Sequence, residues 1–300
     1  MIAAVDCGTN TIKLLVGDLP EVAVRESRTV RLGQGVDTTG ELADEALERA
    51  FACLDEYAAL IAEHDVTAIR FCATSATRDA SNAAVFTDGV VARLGVRPEV
   101  LSGDEEAALS YDGAVRNLRV AAEPPVLVVD IGGGSTELVL GPASGEGGPV
   151  AGVSLDIGSV RLHERHLHTD PPTTAEILAC VRDIEAQLDG SGVDLAAVRS
   201  VVGVAGSVTT VAAGVLDLPA YDPERIDQST PSVADVREFV LRLVSMTVAE
   251  RRALPFMAPG RADVIAAGAL ILDRVLVRTP VDRLVVSESD ILDGIAWSLV

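Results

Sequence analysis

The segments Val5-Asp6-Cys7-Gly8-Thr9-Asn10-Thr11 and Val129-Asp130-Ile131-Gly132-Gly133-Gly134-Ser135 carry one pattern, with Asp6 and Asp130 standing 124 positions apart in a chain of 300 residues. In each, an apolar run ends in Asp and a Gly/Thr/Ser-rich turn follows. A second extended run then leaves, Ile12 to Gly17 in one copy and Leu138 to Gly141 in the other. Glycines let backbone N–H groups turn toward an anion, hydroxyls add donors, and an Asp at a strand end can hold a divalent cation directly or through water. Gly8, Thr9, Asn10 and Thr11, with Gly132, Gly133, Gly134 and Ser135, are therefore candidate phosphate-binding residues. One such loop is more often only a turn. Two in one register point to a single α/β unit used twice.

The register continues past the turn without a gap: Thr11 sits against Ser135, Lys13 against Glu137, Leu14 against Leu138 and Gly17 against Gly141. Strand side chains alternate faces, so Lys13 and Glu137 are expected to point the same way in their respective hairpins, and if one faces a central cleft so does the other. Lys13 is the only lysine among 24 basic residues.

Length suggests two domains, each with ample core. A net charge of −21 argues against nucleic acid and anionic membrane as partners. It leaves a polyanionic substrate open, because screening acts over ~8 Å at physiological salt and local donors decide. No apolar run reaches the ~18 residues of a membrane span; the longest, Val264 to Leu272, lies between Asp263 and Asp273. The N-terminus opens into a strand without a basic region or cleavage site, so no secretory signal is expected. Cys7, Cys53, Cys72 and Cys180 show no C-x-x-C spacing and read as reduced thiols of a cytoplasmic protein.

Periodicity predicts extended chain from Val22 to Gly35, helices at 41–63, 82–94 and 105–115, and strands at 68–73 and 99–101. The second half restarts with strands at 126–131, 136–141, 150–155, 200–204 and 284–286. Its helices are expected at 159–167, 173–188, from Ser207, 233–245, 262–277 and 291–299, with a loop at 216–231. The break at Asn117 to Pro125 divides the chain into domains 1–124 and 125–300, with the final helix, about 290–300, able to pack back on the first. The Gly141 to Pro149 stretch is read as joining two strands of the second sheet.

Twin α/β halves with Asp-Gly loops resemble the superfamily of actin, heat-shock chaperone ATPases and sugar kinases. Further segments resemble the exopolyphosphatase/guanosine pentaphosphate phosphohydrolase family: Arg31-Leu-Gly-Gln-Gly-Val36, Ala73-Thr-Ser-Ala-Thr-Arg-Asp-Ala-Ser-Asn82, Leu101-Ser-Gly-Asp-Glu-Glu-Ala107, the second Gly-rich hairpin through Glu137, and Gly203-Val-Ala-Gly-Ser207. Their order and spacing match over essentially the whole chain. The resemblance implies two ribonuclease H-like (actin-like ATPase) domains flanking a central cleft. It implies an Mg²⁺- or Mn²⁺-dependent enzyme that removes terminal orthophosphate from inorganic polyphosphate, with guanosine pentaphosphate or tetraphosphate as the alternative ligand class, working as a homodimer. It implies Glu106 as the base for the attacking water and Glu137 as a second catalytic carboxylate. Asp6, Asp130 and Glu137 follow as metal-proximal groups, and Arg78 and Arg261 as phosphate contacts. Where the family often carries Arg after Glu-Glu-Ala, this chain has Ala108.

Other readings of the same residues stand beside these. Glu105 and Glu106 can be first-turn acids with Ser102 as helix cap. Arg78 can pair with Asp79, and Arg261 with Asp263, at the surface. Gly203, Gly206 and Ser207 can form an anion site at a helix start, with Gly206 and Ser207 as its donors, or simply pack a strand against a helix. Asp6, Glu106, Asp130 and Glu137 in one cleft would repel one another without a cation, which is why a hard metal is expected. His163, His166 and His168 read as a solvated helix end and carry no metal assignment. Neither a dinucleotide fingerprint nor a Gly-x4-Gly-Lys-Ser/Thr loop is present. A kinase of the superfamily would need adenosine and acceptor pockets that nothing marks. A catalytically weak polyphosphate or alarmone sensor is the reading from a different class.

Overall fold

The computed structural model describes residues 1–143 and 148–300. By its internal contacts the chain divides into two compact units, Met1–Gly113 with Ile291–Val300, and Ala114–Asp290. The expected boundary at 124/125 lies inside the second of these.

Unit 1 runs β1 (Ile2–Cys7), β2 (Thr11–Asp18), β3 (Glu21–Thr29), α1 (Val36–Thr39), α2 (Asp44–Ala62), β4 (Ala68–Ala73), α3 (Ser75–Asp79), α4 (Ala83–Leu94), β5 (Glu99–Val100) and α5 (Gly103–Arg116), in which the division falls. Its sheet has the order β3-β2-β1-β4-β5. The first three strands are antiparallel neighbours, while β4 and β5 run parallel to β1. β1 is buried throughout because both sheet faces are covered, whereas the edge strand β3 is largely exposed and reads Glu-Val-Ala-Val-Arg-Glu-Ser-Arg-Thr. α2 buries Leu47, Ala50, Leu54, Tyr57 and Ile61 on one stripe.

Unit 2 runs β6 (Val126–Ile131), β7 (Thr136–Gly141), β8 (Ala151–Leu155), α6 (Ser159–His166), α7 (Thr174–Gly190), β9 (Ser200–Val204), α8 (Ala205–Val215), α9 (Pro223–Ile226), α10 (Val233–Ser245), α11 (Val248–Arg252), α12 (Ile265–Val277) and β10 (Leu284–Val286). Its sheet, β8-β7-β6-β9-β10, repeats the order and directions of the first. Both sheets thus have the 3-2-1-4-5 arrangement of the ribonuclease H-like fold. α12 is apolar around most of its circumference and forms the middle of this core. In the Gly141–Pro149 connection, 144–147 lie outside the described residues.

The last helix, α13 (Ile291–Trp297), belongs to unit 1. Its Ile291, Leu292, Ile295 and Ala296 pack with Ile2, Ala4, Leu15, Cys72 and Leu101.

The extended segment expected to reach Gly35 ends at Thr29. The Val30 and Arg31 amides turn onto the Asn10 carbonyl, and Arg31 takes a left-handed backbone (φ 53°), which ends the strand. The helix expected from 262 begins at Ile265, and the one expected from Ser207 begins at Ala205. The short helices α1, α3, α9 and α11 carry too few turns for a 3.6-residue period to register. Among the described residues no helix is long and apolar enough to cross a membrane.

Candidate active site

The two hairpins pair in identical register. Ile2 opposes Gly17, Asp6 opposes Lys13 and Cys7 opposes Ile12; adding 124 to each gives Val126 with Gly141, Asp130 with Glu137 and Ile131 with Thr136. The turns close alike, Gly8 N–H on Thr11 O at 2.9 Å and Gly132 N–H on Ser135 O at 3.0 Å.

A following segment holds each turn from behind. In unit 1 the Thr9 carbonyl accepts from Gly33 N at 2.8 Å, and the Asn10 carbonyl from Val30 and Arg31 N at 3.0 and 2.9 Å. In unit 2 the Gly132 carbonyl accepts from Ser159 N at 3.0 Å, and Gly133 from Val160 and Arg161 N at 2.8 and 3.1 Å. The Gly134 carbonyl accepts from Arg161 Nε at 2.6 Å. Across a trans peptide the C=O and the next N–H point opposite ways, so the amides of Asn10 and Thr11, and of Gly133, Gly134 and Ser135, face away from the backing segment. Successive amides facing one way form a concavity suited to phosphate oxygens.

The approach in unit 2 depends on Gly158, where a Cβ would come within 2.5 Å of the Gly133 carbonyl carbon and 2.6 Å of that of Gly134. Backbone cannot yield as a flexible side chain would. Gly158→Ala is therefore expected to cost ~1–3 kcal/mol and to displace the Gly-rich turn. Urea unfolding checks the first effect and anion affinity the second; unchanged values in both would refute the close packing.

The cross-strand rows differ in charge. Lys13 Nζ stands 3.2 Å from Asp6 Oδ2, and Ser27 completes that row on β3. In unit 2, Asp130 opposes Glu137 and Glu137 opposes Ser154, whose hydroxyl donates to Glu137 Oε1 at 2.7 Å. Asp6, Asp130 and Glu137 are all buried. Lys13 and Glu137 thus hold matching positions with opposite charges, one an internal counter-ion for its Asp and the other a second acid in register.

Glu106 and Glu105 separate clearly. Glu105 is a capping residue: its Oε2 accepts from Ser102 N at 2.9 Å and Ser102 Oγ at 2.8 Å, and the Ser102 amide above all holds its carboxyl below the usual range. Glu106 is buried in the first turn of α5 and accepts from Arg78 Nη1 at 2.9 Å. The same Nη1 donates to Leu101 O at 2.9 Å. Arg78 therefore pairs with Glu106 rather than with Asp79, and both of these bonds come from Nη1, on one edge of its fork. Nearby, Thr9 Oγ1 lies 2.9 Å from Ser75 Oγ.

In unit 2, Arg261 Nη1 donates to Gly206 O at 2.5 Å and Thr210 Oγ1 at 2.9 Å, and not to Asp263 in those bonds. Its guanidinium lies where a Cβ on Gly206 would be. Ala205, just before, is in the left-handed region at φ 65°, a conformation costing ~1–3 kcal/mol in a non-glycine residue and frequent at functional sites. Ser207 is buried with its hydroxyl against Gly268 of α12, so it also serves packing. Burial lowers the Arg261 pKa, while Tyr221 and Glu288 oppose that shift. Tyr221 donates to Glu288 Oε1 at 2.6 Å and lies 2.8 Å from Thr209 Oγ1.

His168 is exposed, whereas His163 and His166 are half-buried. His166 and Arg165 both bond Asp183 of α7, at 2.8 and 2.9 Å. Burial alone would raise the Asp183 pKa, and these two bonds pull it below the usual carboxylate range. Among the described residues no three His, Cys, Asp or Glu side chains are grouped to hold a metal. A hard divalent ion needs only one or two carboxylates, with water and phosphate completing its shell, and the buried all-oxygen pair Asp130 and Glu137 fits that demand. Asp6 and Glu106 each face a basic group, Lys13 and Arg78. All four cysteines are buried and free; burial raises each thiol, Cys72 to about 12, so none is poised as a thiolate nucleophile.

Ser154, Ser75, Gly158, Tyr221 and Glu288 went unnoticed in the sequence. Ser154 could have been found from a β7–β8 register, had the Gly141–Pro149 connection been of fixed length.

Two Gly-rich turns of matching backbone on twin ribonuclease H-like units, with a buried Glu held by a half-buried Arg, fit a phosphate-handling protein. A family model described as the Ppx/GppA phosphatase family matches residues 12–300, and the chain belongs to that family. Exopolyphosphatase 2 of Mycobacterium tuberculosis is 46% identical over 318 aligned residues, covering 99% of this chain and 98% of the relative. A crystal structure of an exopolyphosphatase-like protein is similar with a TM-score of 0.96 at 42% identity, covering 99% of this chain and 98% of that one. An exopolyphosphatase from Cytophaga hutchinsonii is similar with a TM-score of 0.90 at 28% identity, with 99% and 97% covered.

Proposed function

We propose that this chain is an exopolyphosphatase that hydrolyses terminal orthophosphate from inorganic polyphosphate. The observation that carries the reading is Glu106, buried at a helix start and held by Arg78, in a chain 46% identical to an exopolyphosphatase. Phosphoanhydride hydrolysis needs a water in line with the terminal phosphorus, a base for its proton, and donors on the phosphate oxygens. Glu106 accepts the proton of the attacking water while Arg78 holds the carboxylate in place. Arg78, Arg261, the two hairpin turns and Lys13 supply the donors. Asp130 and Glu137 would hold an Mg²⁺ or Mn²⁺ ion, with Asp6 beside its Lys13 counter-ion; the metal supplies charge neutralisation on phosphate oxygens. We further propose a cytoplasmic homodimer. The test is orthophosphate release from long-chain polyphosphate with Mg²⁺, beside guanosine pentaphosphate in the same assay. Release from neither would leave a binding protein.

Lys13 carries a prediction that the pair with Asp6 sharpens. Lys13→Ala is expected to weaken polyphosphate binding and flatten its salt dependence. It also removes the cation beside a buried Asp6, at a cost of up to ~3 kcal/mol. Asp6→Asn in the same chain is expected to recover much of that stability. Chemical denaturation of the three proteins checks this; a Lys13→Ala chain as stable as wild type would show the pair to be immaterial.

A further inference from the structure

Arg251, on α11, is 2% exposed, among the largest buried side chains of the protein. Its guanidinium bonds main-chain carbonyls: Nε to Leu243 O at 3.1 Å, Nη2 to Met246 O at 2.8 Å, and Nη1 to Ala262 O at 3.1 Å and Asp263 O at 3.5 Å. Leu243 and Met246 lie at the C-terminal end of α10, where carbonyls carry partial negative charge. Ala262 and Asp263 directly follow Arg261. One planar fork therefore ties the end of a helix to the two peptide groups next to a phosphate-binding candidate.

That linkage matters because of what Arg261 does next. Its own guanidinium lies against Gly206 and donates to Gly206 O and Thr210 Oγ1, so a shift of its backbone moves the head group off the turn before α8. Each residue from 260 to 264 has two soft dihedrals, and fixing the carbonyls of 262 and 263 restricts that freedom next to Arg261. A lysine cannot reproduce the fork, since one ammonium does not span carbonyls on two segments in a plane. We infer that Arg251 is a positioning residue for Arg261: it sets where the Arg261 guanidinium stands and, through it, the grip on the anionic substrate. This rests on Arg261 being a phosphate contact.

The test compares wild type, Arg251→Lys, Arg251→Gln, Arg261→Ala and the double variants. KM and kcat for phosphate release from polyphosphate are measured with the thermal midpoint of the same preparations. Arg251→Lys is expected to raise KM about tenfold with kcat within about twofold, and to add less than about twofold once Arg261 is Ala, because the group it positions is gone. A merely structural role predicts a lower midpoint and lost active fraction, the same in both backgrounds, with KM unmoved; that result overturns the inference. If Arg251→Lys does not fold, Arg251→Gln gives the same comparison, and if neither folds, Arg251 holds the unit together rather than Arg261 and the inference fails. A wild-type KM in Arg261→Ala overturns the assignment of Arg261 itself. A raised KM there beside a wild-type KM in Arg251→Lys overturns only the role of Arg251.

Discussion

Glu106→Gln is expected to slow phosphate release by ~10²–10⁴-fold while the protein stays folded, the range for losing a general base. Gln keeps the size and the helix start, and it can still accept a bond from Arg78, so the fold keeps most of what the Glu106–Arg78 contact contributes. It cannot take a proton from water. Binding is expected to persist or tighten, because one negative charge leaves a site that receives a polyanion. Glu105→Gln is the control: exposed, and spent on capping with Ser102, it is expected to leave kcat near wild type. Phosphate release and polyphosphate affinity for both variants decide the matter. Equal impairment of the two, or an active Glu106→Gln enzyme, would put the base elsewhere.

Removal of divalent cation is the second large effect. Chelator-treated protein is expected to lose activity by ~10²-fold or more, since a cation on developing phosphate charge is worth several kcal/mol, and to regain it with Mg²⁺. The structure narrows the residues concerned. Asp130 and Glu137 are buried cross-strand neighbours, two acids side by side on one hairpin, whereas Asp6 stands beside Lys13. Asp130→Asn is accordingly expected to weaken Mg²⁺ binding, measured by calorimetry without substrate, far more than Asp6→Asn does. Full activity after chelation, or equal loss of Mg²⁺ affinity in both variants, would overturn this.

What could be read in the sequence was what repeats or alternates. The hairpins were legible because strand pairing has a period of two and the 124-residue offset runs unbroken through twelve positions from Asp6 to Gly17; β4 and β9 were legible from their own apolar runs. The offset then fails: Gly33 and Gly158, which both sit behind a turn, are 125 apart, and only three dimensions reveal their shared task. Arg78 beside Asp79 invited a local ion pair, yet the five-residue α3 turns it onto Glu106. Arg251 and Arg252 are adjacent, and nothing in the spacing marks which of the two goes inward. Charge partners across loops, unlike strand partners, have no period to betray them.

The position of α13 bears on synthesis. Residues 291–300 complete the apolar layer over Ile2, Ala4, Leu15 and Cys72, yet they emerge only after all of unit 2 has been made. The amino-terminal unit thus cannot close on the ribosome in the usual first-made, first-folded order. The later unit, contiguous in sequence, is free to mature ahead of it, while the earlier one waits with an uncovered strip of sheet.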